Sequence, residues 1–262
     1  MAMRRLSIRD LEGGHQPMQS ADGQTTLVFN GEIFNSAELR SEYESRGFSF
    51  GTEDSDTEVV LASYVVDGED GIKKLNGMFA FVIHDARKKI LFGGRDRFGI
   101  KPLHYSMAPG RFAFASEIKS LLLVPWVPNQ LDAQSLSDFL SFGYVSEPQR
   151  TAYARIHRLP AATAFRYDYE LHSIKFREYW APQFPVEISE ESEGSNEEVR
   201  QALQSATRRW LQSDVEVGFS LSGGLDSTSL LGLAGSGQRF KTYSLGFEEE
   251  WADDERLIAR EV

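Results

Sequence analysis

The sequence predicts two folds in succession, an α+β domain over residues 1–185 and the beginning of an α/β parallel sheet over residues 186–262. The first part alternates short apolar runs with helices, and polar turns separate its strands. The second part contains a strand, a glycine-rich loop, a helix and another strand, which is the order of a βαβ unit. An acidic segment at 185–198, short of large apolar side chains, is predicted to link the two.

Strands of the first part are predicted where apolar residues cluster between turns. Their ranges are 26–29, 78–83, 90–92, 103–106, 112–115, 163–167 and 174–179. The first is expected to end in a turn at Asn30-Gly31, because Asn-Gly is a frequent turn dipeptide. The second and third are expected to form a hairpin, and so are the last two.

Helices are predicted from their first-turn chemistry. Two begin at Asn35 and Ser55, and each has a glutamate three residues later (Glu38 and Glu58), which is the pattern of a capping box. Gly47 and Gly68 are expected to end these helices. The other predicted starts are Glu117, capped by Ser116, and Asp132.

In the second part, an amphipathic helix is predicted from Ser195. Its apolar stripe is interpreted as core packing and consists of Val199, Leu203, Ala206 and Trp210. A strand at 215–221, a helix at 228–234 and a strand at 241–247 follow. This βαβ unit predicts a parallel sheet.

Composition limits the classes of function. The formal charge of −11 and the pI near 5.0 disfavour nucleic acid and anionic membranes as partners. No apolar run reaches the roughly 18 residues that cross a bilayer. The N-terminus also lacks the apolar core of a secretory signal, so a cytoplasmic protein is expected. The chain has no cysteine, which excludes disulfides, thiolate metal sites and a cysteine nucleophile within it.

The loop Ser222-Gly223-Gly224-Leu225-Asp226-Ser227 is the strongest chemical signal. Its glycines allow the backbone to approach a ligand closely, and the helix after it directs free amides at an anion. Asp226 is placed to hold a magnesium ion. The lysine of a Walker loop is absent, so the loop suits AMP transfer better than γ-phosphoryl transfer. The alternative is a strand-to-helix turn with a capping aspartate.

A second group of residues suits an amino-acid substrate. Asn30 and Gly31 can present a carboxamide and a backbone amide to an oxyanion. Glu32 and Asp56 can receive an ammonium group, and Arg5 can clamp a carboxylate. Taken singly, each has an ordinary alternative. Asn30-Gly31 is then a common turn dipeptide, Asp56 an acid favoured in a helix first turn, and Arg5 a surface arginine.

Taken together, the motifs resemble those of glutamine-dependent asparagine synthetases, in the same order along essentially the whole chain. The matching strings are Arg5-Leu6-Ser7-Ile8, Asn30-Gly31-Glu32-Ile33-Phe34-Asn35, Ser55-Asp56-Thr57-Glu58, Asn76-Gly77-Met78-Phe79-Ala80-Phe81, Arg95-Asp96-Arg97-Phe98-Gly99-Ile100-Lys101-Pro102-Leu103, Phe114-Ala115-Ser116-Glu117 and the loop at Ser222.

The resemblance implies a class II amidotransferase domain of the N-terminal-nucleophile fold, followed by an ATP-pyrophosphatase domain. The first releases ammonia from glutamine; the second makes β-aspartyl-AMP from aspartate and ATP with Mg²⁺, and ammonia displaces AMP. The implied glutamine site is Arg5, Asn30, Gly31, Glu32 and Asp56, with Asn30 and Gly31 as the oxyanion hole. The implied nucleotide site is Leu221, Ser222, Gly223, Gly224, Leu225, Asp226, Ser227 and Leu245, with Asp226 also serving the metal. The resemblance allows a homodimer for the complete protein.

The chain departs from the family at both ends. The family's glutaminase begins Met-Cys-Gly-Ile, with the cysteine as nucleophile, whereas this chain begins Met1-Ala2-Met3. The later Gly-Glu-Gly-(Ser/Ala)-Asp-Glu loop is also absent, so a fragment lacking its first strands and most of its second sheet is expected. Without those strands, Val28, Phe79, Phe81 and Ile83 are expected to be uncovered.

Three interpretations remain open from the sequence. One is a true asparagine synthetase known as a partial sequence. Another is a β-lactam-synthetase-like adenylating enzyme whose amidotransferase domain has lost its cysteine, for which a decayed Asn-Gly-Glu pocket is expected. The third is a catalytically inactive protein that keeps the glutamine pocket for binding.

Overall fold

The computed structural model describes residues 1–3, 13–184, 195–235, 239–246 and 254–261. Two compact units, Met1–Gln183 and Phe184–Val262, make up the chain, and each is described by itself. Arg5 and most of the predicted linker lie outside the described residues.

The first unit contains nine strands and four α-helices within its described residues. The strands are β1 (Met18–Gln19), β2 (Thr25–Ile33), β3 (Gly77–Asp85), β4 (Ile90–Arg95), β5 (His104–Ala108), β6 (Arg111–Ala115), β7 (His157–Arg158), β8 (Thr163–Asp168) and β9 (Ser173–Glu178). The helices are α1 (Ser36–Ser45), α2 (Asp56–Asp67), α3 (Ile118–Leu122) and α4 (Ala133–Phe142), and a 3-10 helix covers Gly68–Lys74. All the predicted strands and helices of this part are confirmed, with shifts of a few residues at their ends.

A six-stranded sheet of order β1-β2-β3-β4-β8-β9 forms the centre of this unit, and all its pairs are antiparallel. One face packs against α1 and α2 through a core that includes Leu27, Phe79 and Val59. The opposite face packs against the three-stranded sheet β6-β5-β7, where Val82, Leu103 and Phe165 meet. The α+β layered fold predicted from the sequence is therefore confirmed.

The predicted turn at Asn30-Gly31 is wrong, because β2 continues through both residues as far as Ile33 and pairs with β3 throughout. Gly31 has a φ of 154°, and a Cβ there would lie 2.0 Å from the carbonyl oxygen of Met78. Glycine is therefore needed for the close approach of two strands and not for a reversal of the chain.

The two predicted capping boxes are also wrong. Asn35 is the N-cap of α1, but its side chain accepts a hydrogen bond from Asn76 N and donates one to Lys74 O. The Glu58 carboxylate accepts from the backbone N–H groups of Gly51 and Thr52, and no side-chain cap bond is present at Ser55. Partners outside the helices therefore take both groups: those of Asn35 lie 39 and 41 residues later in the chain, and those of Glu58 lie seven and six residues earlier.

The predicted cap at Ser116 is a further correction. The short helix α3 begins one residue later than expected, with Glu117 as its N-cap and no side-chain cap bond. The Ser116 hydroxyl instead accepts from the side chain of Asn30 on β2.

The expectation of an uncovered sheet face is wrong for the four residues that it named. Val28, Phe79, Phe81 and Ile83 are all less than 10% exposed. Helices cover one face and the small sheet covers the other. The outer edge of β2 is paired by β1 and, farther along, by the side chain of Gln16, which donates to Phe29 O and accepts from Phe29 N.

Asp96, directly after β4, organises the loop that leads to β5. Its carboxylate is fully buried and accepts hydrogen bonds from four backbone N–H groups, those of Phe79, Phe98, Ile100 and Lys101, at 2.9–3.2 Å. The neighbouring Arg95 guanidinium donates to three carbonyl oxygens, at Gly99, Lys101 and Leu159. Together, the hydrogen bonds of Asp96 and Arg95 fix the path of residues 96–101 beside the start of β3.

The second unit contains α5 (Ser195–Trp210), β10 (Gly218–Ser220), α6 (Leu225–Ala234), β11 (Lys241–Tyr243) and α7 (Glu255–Ala259). Strand β10 precedes α6 in the chain and β11 follows it, and the two strands pair in parallel. The predicted βαβ unit is therefore confirmed. The core-packing interpretation of the α5 stripe is wrong for the residues described, since Val199, Leu203 and Trp210 are 45–56% exposed. The buried residue of this helix is Thr207.

None of the helices in the described ranges has the length and apolar character needed to cross a membrane.

We expect Asp96→Ala to lower the free energy of unfolding of the first unit by about 3–5 kcal/mol, because several N–H groups would lose their acceptor inside the protein. Asp96→Asn keeps one acceptor oxygen and should lose less. Denaturant titration measures both, with Glu44→Ala, an exposed carboxylate, as the control. A loss for Asp96→Ala no larger than that of the control would contradict this role.

Candidate functional site

A cavity of about 620 Å³ lies between the large and the small sheet of the first unit, at the end of β2. Strands β2 and β3 and the ends of β6 and α2 supply part of its wall, and residues 2–3, Gln16, the segment 101–103 and the segment 116–120 also contribute. Its polar lining residues are Gln16, Asn30, Glu32, Asp56, Thr57, Lys101, Ser116, Glu117 and Ser120. The structure therefore brings together Asn30, Gly31, Glu32 and Asp56, which the sequence placed in one site.

Asn30 carries the carboxamide of the cavity. Its Nδ2 donates to Ser116 Oγ at 3.4 Å, slightly longer than the usual range of about 2.7–3.2 Å for an N–H···O hydrogen bond. The carbonyl oxygen of Ser116 lies 3.0 Å from His104 Nδ1. A buried histidine on β5 is thus connected through Ser116 to the carboxamide on β2.

Two carboxylates line the same cavity, and both are at least nine-tenths buried. Glu32 lies near the end of β2, two residues after Asn30. Asp56 is the first residue of α2, and its Oδ2 accepts from Ile33 N at 3.0 Å, which ties the helix start to the strand end. Lys101 and Glu117 also line the cavity, and the two buried acids can receive a cationic group such as an α-ammonium.

Three further lining residues were not predicted as site residues from the sequence. Gln16 reaches the cavity because its side chain pairs with the backbone of β2. Lys101 is brought to the cavity by the Asp96 loop, and Thr57 by the first turn of α2. Lys101 and Thr57 lie inside sequence strings on which the family resemblance rests, so their position in those strings could have marked them as site residues. Gln16 lies in none of these strings, and no sequence pattern marked it.

The second unit holds the predicted phosphate loop between β10 and α6. Gly223 has a φ of 77°, and a Cβ there would lie 2.7 Å from Cγ2 of Ile258 on α7, so only glycine fits. The Ser222 hydroxyl accepts from Gly224 N and lies 3.2 Å from Ser227 Oγ. The loop is therefore folded by its own serines at the N-terminus of a helix.

The predicted nucleotide residues differ in exposure. Leu221 is 4% exposed and packs inside the unit, whereas Leu225 and Leu245 are more than 80% exposed. Asp226 is exposed in the first turn of α6. Thr228, two residues farther on, has a buried hydroxyl with no hydrogen-bond partner among the described residues. An exposed acid beside a glycine loop at a helix N-terminus is compatible with a metal-bound phosphate group.

Comparison with protein families defines the class of this chain. Residues 1–180 match the model of the glutamine amidotransferase domain, and residues 198–262 match that of asparagine synthase. The chain belongs to the glutamine amidotransferase domain family and continues into an asparagine synthase segment. The resemblance to glutamine-dependent asparagine synthetases is confirmed.

Two curated relatives match most of this chain. Asparagine synthetase (glutamine-hydrolyzing) 1 of Bacillus subtilis is 41% identical over 94% of this chain and 38% of its own length. Asparagine synthetase (glutamine-hydrolyzing) 3 of the same organism is 36% identical over 94% of this chain and 41% of its own length. This chain thus spans about two fifths of the relatives that it matches.

Among solved structures, the Bacillus subtilis glutamine phosphoribosylpyrophosphate amidotransferase aligns over 64% of this chain and 32% of its own. Its sequence identity is 19% and its TM-score 0.43, a likeness too distant to add to the family match.

The ring of His104 should stay neutral under mildly acidic conditions. Burial lowers its pKa below the ordinary value of 6.5, and the cations Arg158 and Arg95 act in the same direction. Since the folded-state pKa is lowered, protonation favours the unfolded chain, and stability is lost as pH falls below 6.5. NMR titration of the His104 Cε1–H resonance measures this; a midpoint at or above 6.5 would contradict it.

Proposed function

We propose that the complete protein is an asparagine synthase (glutamine-hydrolysing). It would convert ATP, aspartate and glutamine into asparagine, glutamate, AMP and pyrophosphate. The observation that carries this proposal is the cavity that joins Asn30, Gly31, Glu32 and Asp56, in a chain whose two family matches follow in that order. The proposed division places a glutaminase-like domain at 1–185 and a linker with the start of the synthetase domain at 186–262. The proposed compartment is the cytoplasm, and a homodimer is compatible with the family.

The glutamine half of the reaction would use the cavity of the first unit. Its two buried acids, Glu32 and Asp56, suit the α-ammonium of glutamine, and Arg5 would bind the α-carboxylate. The Asn30 carboxamide and the Gly31 amide would donate to the oxygen of the side-chain carbonyl as it becomes an oxyanion. Pre-positioned donors of this kind stabilise the transition state more than the substrate.

The synthetase half would use the phosphate loop of the second unit. Ser222, Gly223, Gly224 and Ser227 would surround the pyrophosphate of ATP, and Leu221, Leu225 and Leu245 would lie beside the nucleotide. Magnesium, held by Asp226 together with phosphate oxygens, would neutralise the charge that develops on pyrophosphate as it leaves.

The alternatives differ in what they require of the cavity. A β-lactam-synthetase-like adenylating enzyme that has lost glutamine use needs no intact Asn-Gly-Glu pocket, and here all three residues line one cavity. A catalytically inactive glutamine-binding protein needs that pocket but no phosphate loop. The intact cavity together with the folded loop favours the two-step synthase.

We expect the purified 262-residue chain to bind L-glutamine without hydrolysing it. The chain contains no cysteine, and a serine would need a neighbouring base to react. NMR titration measures binding, and a coupled glutamate assay measures hydrolysis. Glu32→Gln removes a charge from the cavity and should weaken glutamine binding at least tenfold, whereas the exposed Glu44→Gln should not. Hydrolysis above the uncatalysed rate, or equal binding by Glu32→Gln, would contradict this assignment.

The synthetase assignment is tested in a chimera in which this sequence replaces the matching part of the Bacillus subtilis relative. Asp226→Ala should abolish asparagine formation and leave glutamine hydrolysis within about twofold, because the carboxylate serves only the metal-bound phosphate. Glu216→Ala, an exposed acid paired with Lys241, is the matched control. Unchanged asparagine formation by Asp226→Ala would refute the role of the loop.

A further inference from the structure

We propose that Ser116 is a positioning residue that sets the direction of the Asn30 carboxamide in the cavity, and that His104 holds Ser116 in place. This inference rests on the proposed function, in which Asn30 contacts the side-chain carbonyl of glutamine. It assigns a role to His104 of the small sheet and to Ser116 directly after it, which contribute nothing to the proposed binding of the α-ammonium and α-carboxylate.

The register of β5 and β6 places Ser116. His104 on β5 pairs with Ala115, the last residue of β6, so Ser116 is the first residue beyond the paired strand. There, its carbonyl oxygen accepts from the His104 ring at 3.0 Å. Because His104 is only 8% exposed, its ring has little freedom, and the backbone of Ser116 is held at a fixed distance from the cavity.

The hydroxyl of Ser116 links the end of β6 in the small sheet to β2 in the large sheet. It accepts from Asn30 Nδ2, 86 residues earlier in the chain, at 3.4 Å. The terminal torsion of an asparagine side chain is broad and roughly two-fold, so a carboxamide without a fixed partner can present either its oxygen or its nitrogen to a ligand. An oxygen turned toward the substrate carbonyl would be repulsive, since both atoms are acceptors.

In this structure the Ser116 hydroxyl accepts from one of the two Nδ2–H bonds of Asn30. With one Nδ2–H directed at the hydroxyl, the second Nδ2–H remains available for a carbonyl oxygen in the cavity. Ser116 is half-buried and lines the cavity wall.

The test compares two ligands that differ only at the far end. L-Norvaline has the same amino-acid head and chain length as L-glutamine but a methyl group in place of the carboxamide. In the 262-residue chain, Ser116→Ala should weaken glutamine binding about 3–10-fold, which is the range of one net hydrogen bond. Norvaline binding should stay within about twofold, and Ser116→Thr, which restores a hydroxyl, should recover most of the glutamine affinity.

The second readout needs no ligand. The Asn30 side-chain amide cross-peaks in a ¹H–¹⁵N spectrum should move or broaden in Ser116→Ala and stay near their original positions in Ser116→Thr. Ser137→Ala, an exposed serine on α4, is the control and should change neither readout. Unfolding of Ser116→Ala, or equal losses for glutamine and norvaline, would show a structural role and overturn the inference. If the unaltered chain binds neither ligand, the proposed function fails, and the cross-peaks still decide whether Ser116 orients Asn30.

Discussion

The buried carboxylate of Asp96 is the interaction on which the rest of the first unit depends. It accepts hydrogen bonds from the N–H group of Phe79, near the start of β3, and from three N–H groups of the loop that follows β4. A desolvated carboxylate is costly unless its lone pairs are filled, and here N–H groups fill them while Arg95 supplies the opposite charge. One residue thus joins the large sheet to the segment that begins the small sheet. The spacing of the two sheets, and therefore the cavity between them, follows from this connection.

The cavity needs a second constraint, the close approach of β2 and β3 at Gly31. A Cβ at this position would overlap the carbonyl oxygen of Met78, so β2 can run straight past β3 only with glycine there. The strand consequently carries Asn30, Gly31 and Glu32 on one rigid element, and the hydrogen bond from Ile33 to Asp56 attaches α2 to its end. Rigid elements hold a binding group more precisely than loops do, which suits donors that must point at one atom.

Sequence patterns predicted the strands and helices well and the individual side-chain partners poorly. Apolar runs and helix-ending glycines act through local chemistry. The two hairpins and the limits of α2 could therefore be predicted from them. The Asn30-Gly31 turn and the caps at Asn35 and Ser116 failed because each group has a partner 41 to 86 residues away, or a strand beside it, that local rules do not see. The same limit applies to the residues of the cavity. Asn30 and Asp56 were predicted because they lie in recognisable family strings, whereas Gln16 lines the cavity only because its side chain pairs with β2.

Binding and reactivity are separable in this architecture. Two of the groups proposed to bind glutamine are held by bonds inside the described chain: Asp56 by Ile33, and Asn30 by Ser116. None of these bonds involves a nucleophile. In the proposed function, recognition of the amino acid depends on the two sheets and the start of α2, while hydrolysis requires in addition a reactive group placed within reach of the carbonyl carbon. A cavity of this kind can select its ligand with full geometric precision in a chain that contains no cysteine, because selection and bond cleavage depend on different atoms.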